Sequence, residues 1–156
     1  MSLKVFPAQQ GGWQATPSAF LAYNSANDLN VTGAGTTFTV DFDTEIFDLA
    51  GDFAADTFTA PTTGQYLLTA TVQIQGLTAA ADNLTLQLVT SNRTYSVSTQ
   101  DTNDMPNGTW SISAVADMDA LDTATVTILV NGEATNVCDV QGGATLETFF
   151  SGYRVG

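Results

Sequence analysis

The chain lacks histidine altogether, has a single cysteine, and carries only three lysine or arginine residues in 156. Each scarcity removes a class of function. Without His there is no Ser-His-Asp or Cys-His machinery and no imidazole metal site. One Cys allows neither an internal disulfide nor a thiolate zinc cluster. Three basic residues against 16 acidic ones give a formal net charge of −13 and a pI near 4.1. Such a chain has no basic surface with which to displace counterions from phosphates, and nucleic acid is excluded as a partner. No apolar run reaches the roughly 18 residues of a membrane span, so no membrane insertion is expected. Met1 to Phe6 holds Lys4 but no apolar stretch follows it, and no secretory signal is expected.

Charged residues of either sign make up only 12% of the chain, while the hydrophobic share is 44%. That apolar content is what disordered acidic chains lack, and it argues for a folded domain. Threonine, about one residue in six, takes the place of the missing charge, and a β-branched polar residue suits the solvent face of a strand. The length fits one domain.

Periodicity of two runs through the sequence. Phe38, Val40, Phe42 and Ile46 alternate with Thr37, Thr39, Asp41, Asp43 and Glu45, which predicts one strand with a core face and a wet face. The same reading predicts strands through Tyr66, Leu68, Ala70, Val72 and Ile74, then Leu84, Leu86 and Leu88, then Tyr95 and Val97, then Trp110 and Ile112, then Val126, Ile128 and Val130. Turn chemistry divides them at Asp48 to Asp52 around Gly51, at Pro61 to Gly64, at Asn103 to Gly108 and at Asn131-Gly132. Short strands at this spacing suggest a β-sandwich or jelly roll. Residues 1–17 differ: Pro7, Gly11, Gly12 and Pro17 break regular structure, while Val5, Phe6 and Trp13 want burial. They are expected to form an extended arm that docks on its own domain or on a partner chain, followed by one domain over 18–156.

The order Phe42, Asp48, Phe53, Phe58, Gly64, Tyr66 resembles the signature of the complement component 1q globular head, a family related to the tumour necrosis factor fold. Phe150-Ser151-Gly152-Tyr153 is similar to that family's closing strand, and Ala19-Phe20-Leu21-Ala22 to its first. Three departures stand out. The Phe53 to Phe58 interval is two residues short, Leu68 and Ala70 replace common aromatics, and the sequence shows no collagen-like or coiled-coil stalk. The resemblance implies an all-β, ten-stranded jelly roll assembled as a homotrimer. Phe149, Tyr153, Val155 and Arg154 on the closing strand are the expected interface residues, because both faces of that strand are largely uncharged.

Several residues are weighed as sites. Asp117, Asp119 and Asp122 form a loop that could hold Ca2+ through hard oxygen ligands, but it lacks the Gly and terminal Glu of an EF-hand. No other cofactor is expected. Asp41, Asp43 and Glu45 read as a solvated face, and Cys138 as a buried core thiol. Asn-x-Thr sequons at Asn30, Asn83, Asn92 and Asn107 are common by chance in a Thr-rich chain. Trp110 is expected in the core, and Trp13 is the freer of the two tryptophans to stack on a ligand. Each of Arg93 and Arg154 is expected to find a carboxylate. Paired carboxylates are the one enzymatic chemistry left open, and no spacing singles out a pair. The expected function is therefore non-enzymatic: a structural and binding trimer of a bacteriophage virion, either a capsid-decorating cement or a tail-fibre tip, with capsid or tail protein as partner. The alternative is a soluble or secreted bacterial module that recognises a glycan or protein through apical loops.

Overall fold

The computed structural model describes residues 16–100 and 105–155. They form thirteen strands and two sheets: β1 Ala19–Tyr23, β2 Asp28–Thr32, β3 Thr37–Thr39, β4 Thr44–Asp48, β5 Phe53–Ala54, β6 Thr57–Thr59, β7 Gly64–Gln75, β8 Asn83–Thr90, β9 Thr94–Gln100, β10 Asn107–Met118, β11 Thr123–Asn131, β12 Cys138–Val140 and β13 Phe149–Arg154. The count exceeds ten because β3, β5, β6 and β12 are pieces of two or three residues. All pairings are antiparallel. One sheet runs β4-β1-β13-β7-β10, with β12 and β2 continuing beside the far end of β7. The other runs β5-β6-β11-β8-β9, with β3 also on β11.

The strands read from alternation fall where expected. Tyr66, Leu68, Ala70, Val72 and Ile74 of β7 and Leu84, Leu86 and Leu88 of β8 are fully buried between the sheets, as are Val126, Ile128 and Val130 of β11. Trp110 is buried and its indole N–H donates to Thr99 Oγ1 at 2.8 Å, the partner a buried tryptophan requires. Two expectations need correction. Phe38 to Ile46 is not one strand: residues 40–43 form a link between β3 and β4, so Val40 and Phe42 are buried while Ile46 is exposed. Asp41, Asp43 and Glu45 consequently do not share a strand face. Asn107-Gly108 opens β10 and is not a turn. The expected arm, with Val5, Phe6 and Trp13, lies outside the described residues except for Thr16 and Pro17.

The residues of the resemblance have a common physical role. Phe20 of β1 stacks on Phe53 and Phe58 with centroids 4.8 and 5.0 Å away, and meets Phe150 of β13 edge-on at 5.0 Å. Phe42 adds to Phe150 at 5.6 Å and Tyr66 to Phe58 at 5.3 Å. Asp48 delivers Phe53 to this cluster: its carboxylate accepts from the backbone N–H groups of Gly51, Asp52 and Phe53, closing a turn in which Gly51 takes φ +74°. Gly152 makes room for the cluster, because a Cβ there would lie 2.6 Å from Leu68 and 2.7 Å from Phe20.

Cys138 is fully buried, and burial, followed by the nearby Glu133 and Asp139 carboxylates, pushes its thiol up to about 11. The thiolate is the reactive form. Native protein is therefore expected to resist Ellman's reagent at pH 8, releasing one equivalent only on denaturation. Rapid labelling of the native chain would contradict this placement.

Candidate functional site

The central part of the outer face of the β4-β1-β13-β7-β10 sheet carries no formal charge, and Asp117, which follows Val115 on the same side of β10, bounds it at one end. Cross-strand register builds it in three rows: Ala19, Tyr153, Leu67, Val115; then Phe47, Leu21, Ser151, Thr69, Ser113; then Tyr23, Phe149, Thr71, Ser111. Period-two alternation places these residues opposite Phe20, Ala22, Leu68, Ala70 and Phe150, which fill the core. Thr69 and Ser113, and Thr71 and Ser111, share hydroxyl hydrogen bonds of 3.0 and 2.9 Å, so the polar side chains of the face satisfy one another. Its apolar members remain in water: Phe47 is 41% exposed, Tyr153 50% and Val115 55%. A shallow groove of about 490 Å3 crosses the face between Ala19, Leu21, Phe47, Phe149 and Tyr153.

The opposite sheet also shows an uncharged outer face, of different chemistry. Thr85, Gln87, Ser96, Ser98, Thr125 and Thr127 face outward there and present hydroxyl and amide groups that water solvates well. The acids are displaced to ends, links and edges. This corrects the expectation of an acidic strand face.

Of the expected interface residues, Phe149 and Tyr153 lie on the mixed apolar face, and Val155 follows the end of β13. Arg154 projects from the other side of that strand, and its Nη2 donates to the Thr63 carbonyl at 3.3 Å. Leu21, Leu67, Thr69, Thr71, Ser113 and Val115 complete the face and were not read from sequence. Their uncharged alternation was visible, but strand adjacency was not.

Asp117, Asp119 and Asp122 sit at the end of the sandwich where β1 begins and β13 finishes. Each carboxylate has protein donors. Asp117 takes Arg93 Nη2 at 2.7 Å, Asp119 takes Thr63 Oγ1 at 3.3 Å, and Asp122 takes both Asn92 Nδ2 and the Asp119 N–H at 2.8 Å. No group of three or more acidic or thiol side chains among the described residues is placed to hold a metal ion. The sequons separate by environment: Asn92 is tied to Asp117 and Asp122, Asn83 is half-buried, and Asn30 and Asn107 are exposed.

A second acidic group was not read from sequence. The two-residue turn Ala55-Asp56, both with positive φ as a type I′ hairpin demands, aims Asp56 Oδ1 at the Phe42 N–H, 2.7 Å away. This brings Asp56 against Asp41. Partial burial, then repulsion from Asp56 and a shared hydrogen bond with it, raise Asp41 to about 6. Burial also raises Asp28, whereas a hydrogen bond from the Ser25 hydroxyl lowers Asp43. A carboxyl raised in the folded state binds its proton more tightly there than in the unfolded chain. Stability from Asp41 is thus present at low pH and lost as pH rises from about 4 through about 6. Allowing for solvent screening at this half-buried position, the loss is about 1 kcal/mol. Wild-type protein is expected to melt higher at pH 5 than at pH 7, and Asp41→Asn to remove most of that difference. An unchanged difference in the variant would contradict the assignment.

No family model and no curated relative matches the sequence. Solved structures do. The globular domain of zebrafish complement 1qA superimposes with a TM-score of 0.60 at 16% identity, covering 89% of this chain and 98% of that one. Eiger TNF from S. frugiperda gives 0.61 at 10% identity, with 91% and 94% covered. Murine APRIL gives 0.61 at 12% identity, with 89% and 99% covered. Over about nine-tenths of its length, the chain has the jelly-roll fold of complement 1q heads and tumour-necrosis-factor-like proteins.

Proposed function

We propose that the chain is a non-catalytic structural and binding module that works as a homotrimer, closed through the mixed apolar face of the β4-β1-β13-β7-β10 sheet. One observation carries this reading: a chain of net charge −13 keeps charge off the three central rows of a face that exposes Phe47, Tyr153 and Val115. Depletion of charge with enrichment of aromatic residues is the compositional mark of an interface core. In a closed three-fold assembly one patch of each subunit meets a different patch of its neighbour, and closure of the ring leaves neither patch free for further growth.

Within that class, the trimer is a bacteriophage virion component, a capsid-decorating cement in preference to a tail-fibre tip. Three-fold sites on a capsid match a three-fold protein, and neutral sheet faces with charge confined to ends and links favour docking by shape. An antibody against the chain is expected to label purified virions in regular array. Antigen found only free in the culture medium would overturn the virion role and favour the secreted binding module.

A further inference from the structure

We propose that Trp13, in the chain's own N-terminal segment, fills the groove at the end of the sandwich where that segment joins the domain. The groove has a volume of about 590 Å3 and is lined by Pro17, Ala50, Asp52, Pro61, Arg154 and Val155, among others. Clefts of roughly 300–1,000 Å3 take drug-sized molecules, so an indole ring fits within it. Thr16, the first described residue, is itself part of the lining. Trp13 lies three residues earlier, and a chain advances at most about 3.6 Å per residue, so its backbone stays within about 11 Å of the groove wall. Val5 and Phe6, further along the segment, are under no such limit.

Hydrogen bonds hold the groove walls in place. Ala50 rides on the turn closed by the Asp48 carboxylate. Pro61 is fixed between two contacts: the Ala60 N–H donates to the Asp122 carbonyl at 2.8 Å, and the Tyr66 hydroxyl donates to the Thr62 carbonyl at 2.6 Å. On the third side the Arg154 N–H donates to the Ser18 carbonyl at 3.0 Å and the Val155 N–H to the Gln65 carbonyl at 2.8 Å. Docking therefore orders the occupant and not the groove, which keeps its cost low. Charge and polarity agree with this occupant. Residues 5–17 contain no charged side chain, and the lining carries one carboxylate, Asp52, and one guanidinium, Arg154, so neither partner repels the other. Pro17, Ala50, Pro61 and Val155 supply apolar surface, with Val155 45% exposed. A tryptophan buries about 150–250 Å2 when covered, a large apolar gain for one side chain. The docking involves a single chain and does not depend on the trimer or on the virion role.

Trp13 and Trp110 are the two tryptophans of the chain, so the full-length Trp110→Phe variant reports on Trp13 alone. Subtracting the emission of Trp13→Phe from that of wild type gives the same reading without altering the core. Trp13 is expected to emit to the blue of free tryptophan and to be quenched by acrylamide at least threefold less than in the urea-unfolded chain. Ala50→Glu and Val155→Glu, which place charge in the groove, should each at least double the quenching with native circular dichroism retained. Leu29→Glu, on β2 beside the far end of β7, should leave it unchanged. Quenching of Trp13 as free as in the unfolded chain overturns the proposal. So does protection that both groove substitutions leave intact, which places the indole elsewhere. Co-refolding with a tenfold excess of a tryptophan-free chain carrying Ala50→Glu and Val155→Glu separates a chain's own groove from its neighbour's. Protection retained in that mixture supports docking within one chain, and protection lost assigns Trp13 to a second copy and overturns it.

Discussion

Phe20→Ala is expected to destabilise the fold by about 3–5 kcal/mol, the range for deleting a buried aromatic side chain. Phe20 is 1% exposed and lies against three phenylalanine rings, Phe53, Phe58 and Phe150, which arrive from separate parts of the chain. Those neighbours cannot collapse into the void without moving, because β1 is held between β13 and β4 and the Phe53 backbone is held by Asp48. Net stabilities of natural domains are about 5–15 kcal/mol, so this loss is a large share of the whole. Thermal or urea unfolding of the variant measures it. A loss below about 1 kcal/mol would show that the cluster is not the structural centre of this end of the core.

Ser151→Glu tests the sheet face without touching the core. Ser151 sits in the middle row between Leu21 and Thr69, half-buried, on the strand whose opposite side carries Phe150 and Gly152. A glutamate here is tolerated by an isolated chain, where it points into water. In a closed trimer it places three like charges near the axis with no cation on the face to receive them, and buried unpaired charge is among the costliest of substitutions. The variant is expected to lose at least a hundredfold in association constant while keeping the wild-type far-ultraviolet circular dichroism. Ser151→Ala, which changes size but not charge, should remain assembled. Dissociation by both substitutions, or by neither, would remove this face from the interface.

Much of the fold was legible because a two-sheet sandwich writes its core into alternation. Leu84-Leu86-Leu88 and Val126-Ile128-Val130 could only point the same way from their strands, and they do. The link at residues 40–43 was not legible: Val40 and Phe42 keep the period of a strand because both are buried, yet the backbone between β3 and β4 crosses from one sheet to the other. Periodicity reports burial, and here burial continued where pairing stopped. The surface was harder still. Phe149 and Tyr153 were visible on the closing strand, but Thr69, Ser113 and Val115 join them only through register across β7 and β10, which no local pattern encodes. The Asp117, Asp119, Asp122 spacing had the opposite fate: a suggestive pattern whose carboxylates are taken up by Arg93, Thr63, Asn92 and a backbone N–H.

The central claim is that the uncharged face of this sheet is covered by other copies of the same chain. Multi-angle light scattering of the purified protein at physiological ionic strength measures this directly. A mass three times the chain's 16.3 kDa, about 49 kDa, is expected across a tenfold dilution. A mass of 16.3 kDa at every concentration would contradict it, leaving Phe47, Tyr153 and Val115 facing water.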